Sequence, residues 1–203
     1  MHIYAFGSIC RGEVDQGSDI DLLACIENDN LSISKEKFSI YKYPRITELW
    51  QEGNPFSWHL HLESKIIFSS DNNDFIKSLG TPSPYMKTAE DCAKFRELFE
   101  QSYEALVNTK TSKIFNLSCM FLATRNFATC YSLGNGKPIF SRKSPLLIDE
   151  KLEINDRVFN TLERARILST RGYGSMVNES EINEVIQYAP KIYKWLNRLS
   201  KVD

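Results

Sequence analysis

Between residues 7 and 23 the chain reads GSICRGEVDQGSDIDLL. Two acids, Asp19 and Asp21, stand at the head of an apolar run, DIDLLACI, with the composition of a buried strand. A strand turns residues two apart to the same side. The two carboxylates are therefore presented together, and Ile20 and Leu22 point the other way, into a core. Adjacent anions repel each other and lose hydration on burial. A divalent cation offsets both costs. Hard oxygen ligands suit magnesium, which is commonly held by one or two carboxylates plus substrate phosphates.

The residues ahead of this pair supply the phosphate side. HIYAF, residues 2–6, is a short β-rich run ended by Gly7. Glycine after a strand lets backbone approach a ligand closely. N–H groups at such a turn, above all where a helix begins, bind phosphate. Gly-Ser alone, or Asp-x-Asp alone, is common in ordinary turns and strands. A strand, Gly7-Ser8, ten intervening residues and then Asp-Ile-Asp-Leu-Leu is far more specific. It describes a nucleoside triphosphate held on metal ions while a hydroxyl attacks in line.

Phe6-Gly7-Ser8, with Arg11-Gly12-Glu13 and Ser18-Asp19-Ile20-Asp21-Leu22, resembles the signature of the DNA polymerase β-like nucleotidyltransferase superfamily. The resemblance is closest to its small bacterial members, the minimal and aminoglycoside nucleotidyltransferases. It is clear over residues 3–26 and weaker to about 85. It implies a small mixed sheet flanked by helices, and transfer of a nucleoside monophosphate to a hydroxyl with Mg2+. By the same resemblance Gly7 and Ser8 hold the triphosphate of an NTP, with ATP expected, and Asp19 and Asp21 bind the metal. Arg11 contacts phosphate or lies solvated in the same loop. Ser18 orients the loop before the strand or serves as a plain turn serine.

The chain departs from that family in one respect. Active members add a third carboxylate from a neighbouring strand. The matching strand here, KFSIYKY, has no acid. Glu63 is the best substitute, with Glu48 weaker. His59 and Glu63 are four apart and share a side, either as an ordinary i,i+4 pair or as groups that orient or deprotonate the acceptor. Without a third acid the alternative is a degenerate nucleotidyltransferase, a nucleotide-binding or antitoxin-like module that transfers nothing.

The expected fold class is α+β, a small mixed β-sheet domain over residues 1–85 followed by an all-α helical bundle over 86–203. Strands are expected at 2–6, 19–26 and 37–43, and Pro44 opens a short helix stopped by Gly53. NPFSWHLHLESKIIF, residues 54–68, is ambiguous. WHLHLE alternates like a strand, whereas Asn54-Pro55 is a good helix start. A helix to about 64 and a strand over 65–68 are favoured. Asp71 then caps a short helix ending at Gly80. In the second half, helices are expected from Thr88 to about 107, 111–133, near 145–150, 155–170 and 179–200.

Charge and cysteine usage narrow the partners. The formal net charge of −1 leaves no overall footprint for nucleic acid or an anionic membrane, so RNA ends are disfavoured as acceptors. Five cysteines without a CxxC pair point to reduced thiols and a cytoplasmic protein. No signal peptide or membrane span is visible. The acceptor is a small hydroxylated molecule, such as an aminoglycoside, or a protein serine or tyrosine.

In the helical half, Arg125-Asn126 faintly resembles the start of the HEPN ribonuclease motif. That motif needs a nearby histidine where this chain has Cys130 and Tyr131, so ribonuclease activity is rejected. A structural ion pair is favoured for Arg125. Phe115, Phe121, Phe127 and Tyr131 are read as bundle core. Lys137, Arg142 and Lys143 make a basic loop that covers a triphosphate, meets an acidic partner or is solvated. The final helix packs on the bundle or on the second copy of a homodimer.

Overall fold

The computed structural model describes residues 1–13, 20–28, 33–109 and 111–200. The chain divides into two compact units, Met1–Met86 and Lys87–Asp203. The first contains a mixed sheet and the second is helical, so the class is α+β.

The sheet has four strands in the order β3-β2-β1-β4 among the described residues: β1 (His2–Phe6), β2 (Asp21–Ile26), β3 (Ser39–Lys42) and β4 (Lys65–Ser69). β1 runs antiparallel to both neighbours, with Phe6 opposite Asp21 on one side and Ala5 opposite Lys65 on the other. β3 lies parallel to β2. The C-terminal end of β1 therefore meets the beginnings of β2 and β4. The turn after β1 enters α1 (Ser8–Arg11) at this end.

Helices cover one face of the sheet. Tyr4, Phe6, Leu23 and Cys25 form a core with Ile46, Leu49 and Trp50 of α2 (Tyr43–Gln51), Leu60 of α3 (Pro55–Glu63) and Ile76 of α4 (Phe75–Ser78). Ile46, Leu49 and Trp50 recur at helical spacing, which gives α2 one apolar side. The ambiguity over residues 54–68 resolves as a helix followed by a strand. The Asn54 side chain accepts from Phe56 N–H at 2.9 Å, and Pro55 occupies the first turn. The alternation in WHLHLE has no sheet face to match: Leu60 is buried, but Leu62 is half-exposed.

Three local expectations are corrected. β2 begins at Asp21, and the core-facing residues are Leu23 and Cys25, in phase with Asp21. Ile20 is exposed and Leu22 only partly buried. The helices cover the face that Asp21 points to, and this reverses the expected sidedness. Asp74 caps α4 in place of Asp71, by accepting from Lys77 N–H. Asp71 instead accepts from Asn73 N–H and Ser69 and bonds the buried His2 at 3.0 Å. The other His2 ring nitrogen bonds the Tyr43 hydroxyl at 2.8 Å.

In the second unit α6 (Lys113–Gly134) packs against α5 (Thr88–Asn108), α8 (Asp156–Arg171) and α9 (Glu179–Leu199), with the short α7 (Ser144–Leu147) beside it. Phe121 and Phe127 are core, and Tyr131 stacks on Phe127. Phe115 is not core: it is 59% exposed, one turn into α6 before the helix is enclosed. Arg125 donates to the Phe140 carbonyl at 2.9 Å. It also donates to Asn126 Oδ1 at 3.0 Å, and so pins the following loop to the helix. No described helix is long and apolar enough to cross a membrane.

Thr88 is the first residue of α5 and does not cap it. It packs on Gly134, where an added β-carbon would stand 2.2 Å from Thr88 Oγ1. Gly134→Ala should therefore destabilise the chain by about 1–3 kcal/mol in denaturant unfolding. Adding Thr88→Ala should return only part of that, because the residue-88 Cβ would remain 2.8 Å away.

Candidate functional site

The site grows out of the turn that follows β1. Gly7 has φ 75° and ψ −147°, a conformation open in practice to glycine alone. A β-carbon there would stand 2.4 Å from Asp21 Oδ2. The Asp21 carboxylate thus occupies the space that any side chain at position 7 would need. The strand pairing sets this approach, since Phe6 and Asp21 face each other across β1 and β2. Gly12, at φ 74°, ends α1, and Glu13 N–H bonds the Ser8 carbonyl at 2.9 Å, closing the loop on itself.

Arg11 leaves this loop toward the start of β4. Its Nε donates to Glu13 at 2.9 Å, and its Nη1 donates to Glu63 Oε2. The same Glu63 oxygen bonds His59 Nε2 at 2.9 Å. His59 stands edge-on to the Phe6 ring at 5.5 Å between centroids. Phe6 and Asp21 share a face as a directly opposed pair. The Arg11–Glu63–His59 cluster and Asp21 therefore lie on the helix-covered face, at the same end of β1. Side chains of all three cluster members are less than 20% exposed. Burial raises the Glu63 carboxyl, but the hydrogen bond and charge of His59, with those of Arg11, outweigh it and hold the group below its ordinary 4.5. Glu63 is ionised at neutral pH.

Of the residues expected at the site, Gly7, Ser8, Arg11, Asp21 and Glu63 come together around this end of the sheet. Ser18 and Asp19 lie outside the described residues. Glu48 is exposed and bonds Arg45 at 3.0 Å, which ties it to the surface of α2. β3 carries no acid. In the basic loop of the second unit, Lys137 pairs with Asp149 at 2.6 Å and Arg142 with Glu163 at 3.4 Å. Sequence reasoning missed the role of Glu13. The signal was its spacing, two residues after Arg11, within reach of a folded-back guanidinium.

The donor types fit a divalent cation and a polyphosphate. Asp21 offers hard oxygens at an exposed position, beside backbone that no β-carbon shields. Among the described residues no three His, Cys, Asp or Glu side chains gather as a metal cluster.

Two outcomes follow for the free protein. Gly7→Ala should lose about 1–3 kcal/mol in urea unfolding. Asp21→Ala in that background should relieve the clash but not the backbone strain. Glu63→Gln should lose about 1–3 kcal/mol at neutral pH. A carboxyl lowered on folding stabilises above its unfolded value and ceases to as pH falls through the folded one. The gap between wild type and Glu63→Gln should therefore close as pH drops below 4.5.

No curated protein matches the chain. Residues 2–80 match the family model of the nucleotidyltransferase domain, which covers the whole sheet, its helices and this cluster. Over residues 2–80 the first unit is thus similar to nucleotidyltransferase domains.

Proposed function

We propose that the protein is a magnesium-dependent nucleotidyltransferase that moves AMP from ATP to a hydroxyl of a small molecule or of a protein side chain. The observation that carries the reading is the Asp21 carboxylate set against Gly7 beside Arg11, inside a nucleotidyltransferase domain. Asp19 and Asp21 hold magnesium, whose chemistry when bound is to stabilise charge on phosphate oxygens. The Gly7 and Ser8 backbone and the Arg11 guanidinium receive the triphosphate, and Ser18 orders the loop before β2. Glu63, steered by His59, orients the acceptor hydroxyl and takes its proton. The acceptor oxygen bonds the α-phosphorus as the bond to the bridging oxygen breaks, and pyrophosphate leaves.

One observation favours a second reading. Glu63 Oε2 is already engaged by both Arg11 and His59, and β3 supplies no acid in its place. On that reading the domain binds nucleotide as a regulatory or antitoxin-like module and transfers nothing.

Calorimetric titration with ATP, GTP, CTP and UTP, each with and without magnesium, tests the proposal. ATP should bind only with magnesium, and Asp19→Asn/Asp21→Asn should abolish that binding. Pyrophosphate release on adding hydroxyl acceptors should follow in the wild type and be lost in the variant. Magnesium-dependent binding without release from any acceptor selects the second reading. Failure of all four nucleotides to bind rejects both.

A further inference from the structure

Arg11 connects the two sides of the proposed reaction. Its guanidinium receives the triphosphate, and Glu63 takes the proton of the acceptor. In the free protein these two groups are bonded to each other, Arg11 Nη1 donating to Glu63 Oε2. Their side chains are only 18% and 16% exposed, so water and salt screen the pair little. The same Glu63 oxygen bonds His59 Nε2 at 2.9 Å, and thus has two neighbours where an acceptor hydroxyl has to reach it.

The surroundings let this contact open without orphaning either partner. Arg11 Nε donates to Glu13 at 2.9 Å, which keeps the guanidinium in its loop when Nη1 leaves. Glu63 keeps His59, so its carboxylate is not left as an unpaired buried anion, the outcome that makes breaking most buried ion pairs strongly destabilising. Arg11 Nη2 has no hydrogen bond among the described residues, so one arm of the fork is open to a ligand. A guanidinium grips phosphate through two parallel bonds, whereas Glu63 offers it a single oxygen. A triphosphate on the Gly7-Ser8 turn, from which α1 leads directly to Arg11, is the stronger competitor for the same cation.

We propose that Arg11 is a switch shared by Glu63 and the nucleotide, an inference that rests on the transfer reaction proposed above. Arg11 holds Glu63 in the free protein and passes to the triphosphate when that binds. Glu63, still placed by His59, is then left to the acceptor hydroxyl. The donor nucleotide thus readies the base, and an acceptor that arrives first finds Glu63 engaged. Coupling of this kind is reciprocal. Whatever loosens Arg11 from Glu63 therefore tightens nucleotide binding.

Calorimetric titration of the full chain with ATP and magnesium tests this, on variants whose circular dichroism matches the wild type. Glu63→Gln should bind about tenfold tighter, the strength of one hydrogen bond to a charged group. Glu63→Asp keeps the charge but falls short of Arg11 by one methylene. It should bind tighter as well, and it carries the test where Glu63→Gln fails to fold. Arg11→Met should bind more weakly than the wild type, and in that background Glu63→Gln should change the affinity less than about twofold. Glu63 variants that bind no tighter than the wild type overturn the proposal, since Glu63 then only aims Arg11. So does a tightening of equal size in the Arg11→Met background, where repulsion between Glu63 and the triphosphate is the whole cause. In both cases nucleotide binding survives, and the transfer reaction proposed above stands. A wild type that binds none of ATP, GTP, CTP and UTP removes that reaction, and the switch with it.

Discussion

A carboxylate oxygen of Asp21 stands where a β-carbon of residue 7 would be, and the first unit is arranged around that contact. It requires glycine at the end of β1 and a left-handed turn into α1. It also requires a β1–β2 register that sets Phe6 against Asp21. A one-residue slip would turn every side chain of β2 over and bury the carboxylate's neighbours on the wrong face. The register is held from below by Leu23 and Cys25, which share Asp21's phase and lie in the core with Leu49, Trp50 and Leu60. The apolar packing thus fixes the position of a charge that packing alone would exclude.

The Arg11–Glu63–His59 cluster ties that turn to the end of α3, 52 residues later in the chain. Removing charges from water costs energy that an ion pair recovers only with good geometry and further hydrogen bonds. Glu13 on Arg11 and His59 on Glu63 supply those bonds. Glu63 is thus an anion already engaged by two donors.

Much of this was legible in the sequence, for identifiable reasons. The glycine-serine turn and the Asn54-Pro55 helix start are local signals, carried by residues adjacent in sequence and so readable without the fold. The sidedness of β2 was misread because an apolar residue flanks each aspartate, and alternation says which residues share a face without saying which face a helix covers. Asp71 and Asp74 were indistinguishable as caps until His2, far off in sequence, claimed the first of them. Phe115 was counted as core from helical spacing, which does not reveal where along a helix its neighbours begin.

The sheet also shows how two demands on one short strand conflict. β4 follows directly from the helix that carries His59 and Glu63, and it must begin at the end of β1 for Glu63 to reach Arg11. That requirement holds the strand at the edge and fixes its first residues. Burying its apolar side chains against the helix-covered core is then out of reach for Ile67 and Phe68, since α2, α3 and α4 lie over Tyr4, Phe6, Leu23 and Cys25. Isoleucine and phenylalanine favour the extended backbone that the edge needs, but on a solvated edge they also invite another strand. A lysine at every other position would keep the strand and prevent pairing. The chain instead keeps charge only at Lys65, the first residue of the strand.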